Sequence, residues 1–185
     1  MSDYAIEPYQ SWLPLEARAA AEPNALHRAL ITRVRDHMEF EIKGELQPLM
    51  DTLVADPAYH FWSENPFVLE GRAAVRGFYE NMIAAGGNQF QVVVDRILVE
   101  DGGVVTEGQV KQIYRGPQVI AMGVTELDGA PVTESDLILT TTQLLTVWPA
   151  GADAKLVGED IYLAHNPLRN ARRITEAALP DYYRL

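Results

Sequence analysis

The sequence has no cysteine. That removes disulfide frameworks, thiolate nucleophiles and cysteine-bound zinc together, and fits a reducing compartment. Basic charge is also scarce. Fifteen Lys and Arg face 26 Asp and Glu, a formal net charge of -11, and partners that reward clustered cations, such as phosphate backbones and anionic lipid, are disfavoured. Nucleic acid and membrane are therefore not expected partners. Arg169, Arg172 and Arg173 are read as a solvated helix face. No run of apolar residues is long enough to span a bilayer, and the opening MSDYAIEP carries acids where a signal peptide needs basic residues. The expected location is cytoplasmic. Also missing are a G-x-S-x-G elbow, a phosphate-binding glycine loop, a dinucleotide fingerprint and an H-E-x-x-H pair. The four histidines, at 27, 37, 60 and 165, show no metal-ligand spacing with one another. No metal and no cofactor is expected.

What remains is enough for one core: 185 residues, 48% of them apolar. Residues 1–23 mix prolines with aromatics and an Ala-rich stretch, which reads as an arm outside the core with one short helix. From Asn24, an N-cap, a helical pattern runs to Ile42 and Gly44 ends it. A second helix covers Leu46 to Leu53, and Asp56-Pro57 closes the helical pair. Ala58 to Trp62 and Phe67 to Leu69 read as strands around an Asn65-Pro66 turn. Residues 72–85 form a third helix with Val75, Phe78, Tyr79 and Met82 on its apolar side, stopped by Gly86-Gly87. Phe90 to Val99, Val104 to Tyr114, Ile138 to Trp148 and Leu156 to Leu163 are rich in Val, Ile, Thr and aromatics, with turn signals between them. Val119 to Val124 is a further piece able to pair. Helices first and strands afterwards indicate segregated α+β, an antiparallel sheet curling over three helices. The expected division is 1–23 as arm, 24–164 as domain and 165–185 as C-terminal extension.

Chemistry concentrates on the first long helix. At about 100° per residue, Leu26, Leu30, Ile31, Val34, Met38 and Ile42 define an apolar arc, and His27, His37 and Glu41 fall inside it. A carboxylate there carries a desolvation cost on the order of several kcal/mol unless paired or protonated, and His37, four residues earlier, is within reach of it. Two readings stand: a satisfied or edge-exposed pair, or a cavity wall where a carboxyl of raised pKa moves a proton near neutral pH. In the last strand, Glu159 and Asp160 are adjacent, so one of them must face the concave side. By the same alternation, either Tyr59 with Phe61 or His60 with Trp62 points inward. Tyr79 and Tyr114 are further hydroxyl donors, and Trp62, Tyr79 and Trp148 are expected to enclose a bound molecule.

The order of elements resembles the nuclear transport factor 2-like superfamily, in its SnoaL-like and ketosteroid-isomerase-like branch, over about residues 24–164. The phrases that carry the resemblance are Lys43-Gly-Glu-Leu46, Ala55-Asp-Pro57, Gly71-Arg-Ala-Ala-Val-Arg-Gly-Phe-Tyr79 and Lys155-Leu-Val-Gly-Glu-Asp-Ile-Tyr162. The resemblance implies a cone of curved sheet on helices, a pocket at its open end, and homodimers formed through the sheet. It also implies that His37 lies near the position of the isomerases' oxyanion-binding tyrosine, and that Glu159 points into the cone. The isomerase base position falls near Phe61 or Trp62, and the second oxyanion-binding acid at about Leu144, so the standard isomerase site is absent. The expectation is a cofactor-independent lyase, isomerase or hydratase acting on a small hydrophobic oxygenated molecule. Its catalytic candidates are His37, Glu41, Glu159, His60 and Tyr59, and its substrate-binding candidates are Trp62, Tyr79, Tyr114, Met38 and Trp148. A non-catalytic binding or dimerisation module is the alternative.

Overall fold

The computed structural model describes residues 4–151 and 153–184. After a 3-10 turn at Pro8–Gln10, helix α1 (Leu13–Ala21) starts with Pro14 in its first turn, where the missing N–H costs nothing. Trp12, Leu15 and Ala19 bury themselves in the same apolar cluster as the helix that follows. The N-terminal segment therefore contributes to the core, contrary to its reading as an arm outside it, because its apolar residues recur at helical spacing.

Helix α2 (Ala25–Lys43) begins where expected. The Asn24 side-chain Oδ1 accepts from the backbone N–H groups of Leu26 and His27 at 2.9 and 3.3 Å, satisfying donors that the helix cannot. Gly44, at φ 72°, ends it in the left-handed region. Leu30, Ile31, Val34, His37, Met38 and Ile42 form the buried face. The arc is narrower at its start than the pattern suggests: Leu26 is exposed, and His27 turns outward to Asp101, 3.0 Å away.

Helix α3 (Leu46–Asp51) is shorter than expected because strand β1 (Leu53–Trp62) starts before Asp56-Pro57. The proline is accommodated where the pairing shifts register between Leu53 and Ala58, a place that needs no ladder N–H. Strand β2 (Phe67–Glu70) returns antiparallel to β1, and helix α4 (Gly71–Ala84) buries Val75 and Tyr79. Strands β3 (Gln91–Glu100) and β4 (Gly103–Arg115) follow. The apolar piece at Val119 does not pair. It lies partly in helix α5 (Gly116–Ala121), where Pro117 sets the first turn and Gln118 Oε1 accepts from Arg115 N at 2.7 Å. A small hairpin, β5 (Glu126–Leu127) with β6 (Ala130–Pro131), leads to β7 (Leu137–Pro149) and β8 (Leu156–Leu163).

The main sheet runs β2-β1-β8-β7-β4-β3 and is mixed. Its one departure from the expected antiparallel order is the parallel pairing of β1 with β8, which brings together residues such as Tyr59 and Glu159 that are far apart in the chain. Gly158 is required at that seam, since a Cβ there would lie 1.7 Å from the carbonyl oxygen of Ala58. Beyond Asn170 the chain forms strand β9 (Arg172–Ile174) on β7. Of the arginine cluster, Arg172 and Arg173 thus lie on a strand, and Arg169 lies in the 3-10 turn Pro167–Asn170 before it. Arg173 binds Asp136 at 3.1 Å and the carbonyls of Leu127, Ala130 and Pro131. No helix among the described residues is long and apolar enough to cross a membrane.

Candidate active site

Helices α2 and α4 lie against the concave side of the sheet, and the register decides what meets between them. In the parallel seam Tyr59 pairs with Glu159 and Phe61 with Ile161. Tyr59, Phe61, Glu159 and Ile161 therefore face inward, and His60, Trp62, Asp160 and Tyr162 face outward. His60 Nδ1 sits 2.6 Å from Asp160 Oδ1 on the outer face, and Trp62, 43% exposed, stacks on His60 and Tyr162 there. Neither His60 nor Trp62 reaches the interior, so both fall away as site residues.

Inside, His37 is fully buried. Its Nδ1 lies 2.6 Å from Thr52 Oγ1, which donates its single proton to the carbonyl of Leu49, also at 2.6 Å. Thr52 can then only accept, so the Nδ1 position carries a hydrogen. On the other side, Nε2 is 3.1 Å from Glu159 Oε1, 3.0 Å from the Tyr79 hydroxyl and 3.3 Å from the Tyr59 hydroxyl. The two phenols touch at 2.9 Å, and Tyr79 donates to Glu159 Oε1 at 3.1 Å. A lone pair on Nε2 facing a lone pair on Oε1 would repel, so this contact holds one proton. Burial, with Glu159 next for Tyr59 and Glu41 next for Tyr79, pushes both phenol pKa values well above their usual value. Both stay neutral donors.

One of the two readings above paired His37 with Glu41. Among the described residues it does not hydrogen-bond it, and the Glu41 carboxyl has no hydrogen-bond partner at all. The open surface of Glu41 faces a partly open cavity of about 240 Å³, which Glu159 also lines. The rest of the wall is largely apolar: Met38, Phe61, Phe78, Phe90, Leu144 and Trp148 contribute to it. Desolvation there, reinforced by the nearby charge of Glu159, raises the Glu41 pKa well above the ordinary carboxylate range.

Of the expected residues, then, Glu41, Glu159, Met38, Trp148 and Tyr114 line the cavity. His37, Tyr59 and Tyr79 stand behind Glu159 and orient it. Tyr114 has its hydroxyl committed to Gln112 Oε1 at 2.9 Å. Thr52, which fixes the imidazole, was not anticipated, because nothing in a threonine between a helix and a strand signals that role. Thr106 and Thr146 on the cavity wall follow from the alternation of β4 and β7 once Trp148 is known to point inward. Among the described residues, His37, Glu41 and Glu159 are also the one group able to hold a metal ion, with ligand atoms all within 4.8 Å. A cation would have to displace the tyrosine hydroxyls and Glu159 from Nε2.

No family model matches the chain, and no curated protein matches it. Solved structures do. A SnoaL-like protein from Jannaschia sp. CCS1, named as a polyketide cyclase, aligns with a TM-score of 0.56 at 14% identity, covering 77% of this chain and 90% of that one. An epoxide hydrolase/cyclase-like enzyme of pyran ring formation in the polyether salinomycin aligns with a TM-score of 0.53 at 11% identity, over 77% and 94%. An NTF2-like protein from Anabaena variabilis aligns with a TM-score of 0.51 at 14% identity, over 75% and 92%. At such identities the likeness concerns the backbone, and the chain has the fold that these NTF2-like and SnoaL-like proteins share.

Proposed function

We propose that this chain is a cofactor-independent acid/base enzyme of the lyase, isomerase or hydratase type, acting on a small hydrophobic oxygenated molecule such as an aromatic, terpenoid or polyketide-like compound. One observation carries the reading: Glu41 presents an unpartnered carboxyl to an apolar cavity beside a second carboxyl, Glu159, that a buried His37–Tyr79 pair holds in place. A simple binding pocket gains nothing from an acid left without a partner in apolar surroundings. An enzyme does, because the raised pKa keeps a proton available near neutral pH.

In this mechanism Glu159 takes a proton from the substrate carbon or from an attacking water. Glu41 gives its proton to the oxygen that is leaving or being freed. The net result is a proton moved from Glu41 to Glu159, and the two groups are close enough, within 4.8 Å, for the proton to return before the next cycle. His37 does not touch the substrate. It and Tyr79 orient Glu159, which replaces the direct oxyanion-binding role expected of His37. Phe61, Phe78 and Trp148 on the wall lower the local polarity and so strengthen each of these interactions.

The same reading gives the outer face of the sheet to a second copy of the chain. Trp62, Tyr162, Val68 and Leu98 are exposed there, on the side away from the cavity.

The test is a thermal-shift and turnover screen of oxygenated aromatics and terpenoids on the parent and on Glu41→Gln. A compound that stabilises the parent and is consumed, with turnover lost in the variant, supports the enzyme. Compounds that bind both proteins equally and emerge unchanged would instead support a binding module.

A further inference from the structure

The cavity has one acidic side and one side of hydroxyls. Thr106 on β4 lies directly opposite Thr146 on β7, and Thr146 opposite Ile161 on β8. Glu159 is two residues from Ile161 on the same face of β8, so it is diagonal to Thr146, at about 7–8 Å. That gap admits one polar group of a bound molecule, hydrogen-bonded on both sides.

Both hydroxyls have a proton to give. Trp148 Nε1 donates to Thr106 Oγ1 at 2.9 Å, which fills an acceptor site on that oxygen and leaves its own O–H uncommitted. Thr146 has no hydrogen-bond partner among the described residues, yet no fully enclosed side-chain polar atom among them lacks one. Its hydroxyl must therefore meet open space, and for a residue only 3% exposed that space is the cavity it lines. Among the described residues no Lys or Arg lines the cavity, and its carboxyl groups are Glu41 and Glu159.

We propose that Thr146 and Thr106 form the oxygen-binding subsite of this cavity, so that its ligand is an uncharged molecule presenting a carbonyl or hydroxyl oxygen to them. The inference rests on the acid/base reading above and adds the substrate's charge and orientation. With no cation lining it among the described residues, the cavity offers nothing to hold an anionic ligand, whereas hydroxyl donors in a largely apolar site hold an oxygen whose charge grows during reaction. The ketone or alcohol oxygen sits on the threonines, and the carbon or leaving group faces Glu41 and Glu159.

Calorimetric titration of the full chain with three probes of one size tests this: 1-tetralone, tetralin and 1-naphthoate. The expected order is the ketone tightest, the hydrocarbon about five- to tenfold weaker for want of the hydrogen bonds, and the carboxylate weakest. Thr146→Val should lower tetralone affinity towards that of tetralin and leave tetralin unchanged, which also shows that the variant's cavity is intact. Thr146→Ser should keep most of the ketone's advantage. Equal tetralone affinity in the parent and in Thr146→Val overturns the subsite alone and leaves the Glu41 chemistry standing. Naphthoate binding more tightly than tetralone overturns the charge argument. Failure of ketone and hydrocarbon alike to bind overturns the apolar cavity on which both proposals stand.

Discussion

His37 bonds Glu159, 122 residues further along the chain, at 3.1 Å, and not Glu41, which lies one helical turn away on α2. The local neighbour is left free to face the cavity, while the remote one is fixed. Two carboxyls of similar chemistry thereby acquire different roles through their surroundings.

The freedom of Glu41 should be visible in stability. Its folded-state pKa lies above the unfolded one, so the unfolded chain releases this proton first and stability falls as pH rises from about 4.5 towards the folded value. Glu41→Gln removes the charge and the penalty. Thermal melts should show the variant gaining a few degrees over the parent at about pH 8 and nothing at about pH 4. A gain of the same size at both pH values would mean that titration of Glu41 is not its source.

The pH profile of turnover should follow the same group. If protonated Glu41 is the acid, kcat falls as pH rises through its raised pKa, and Glu41→Gln abolishes turnover and that limb of the profile with it. A profile whose alkaline limb survives the substitution assigns the limb to another group.

Tyr79→Phe deletes the donor to Glu159 Oε1 while keeping the ring that packs edge-on against His37. The expected loss is about 1 kcal/mol of stability, with kcat lowered about tenfold and KM little changed, since Tyr79 positions Glu159 without lining the cavity. A change confined to KM would place the hydroxyl in direct contact with substrate.

Thr52→Val should do more harm than an isosteric change normally does. It strips the acceptor from a buried Nδ1–H, at a cost of about 1–3 kcal/mol, and frees the imidazole to rotate. Denaturant unfolding measures the cost, and Thr52→Ser, which keeps the oxygen, should recover most of it.

Gly158→Ala should disrupt the parallel seam. Its Cβ would overlap the Ala58 carbonyl, and overpacking of this kind costs about 1–3 kcal/mol or more when the clash is with backbone. Circular dichroism melts would register it, and ligand binding should weaken along with stability, because β8 carries Glu159.

Much of this arrangement was legible in the residues. Asn24 and Gly44 mark the ends of α2 because capping is local chemistry, and the apolar period places His37 and Glu41 on one face. Alternation requires that one of Glu159 and Asp160 face inward, but alternation alone is silent on which. The choice between Tyr59 and His60 depends on a register shift between Leu53 and Ala58 and on a distant partner strand, β8. For the same reason the exposed Trp62 read equally well as an inward aromatic. The Thr52 contact and the parallel β1–β8 pair are tertiary facts with no local signature.

That parallel pair also orders the protein's synthesis. His37, Glu41, Tyr59 and Tyr79 all emerge from the ribosome well before Glu159, and until β8 slots in beside β1 the imidazole and the phenols lack the carboxylate that organises them. A nascent chain can therefore form its first helices and hairpins and still lack the His37–Glu159 contact. Strand β8 acts as the key that completes this buried cluster, about a hundred residues after β1.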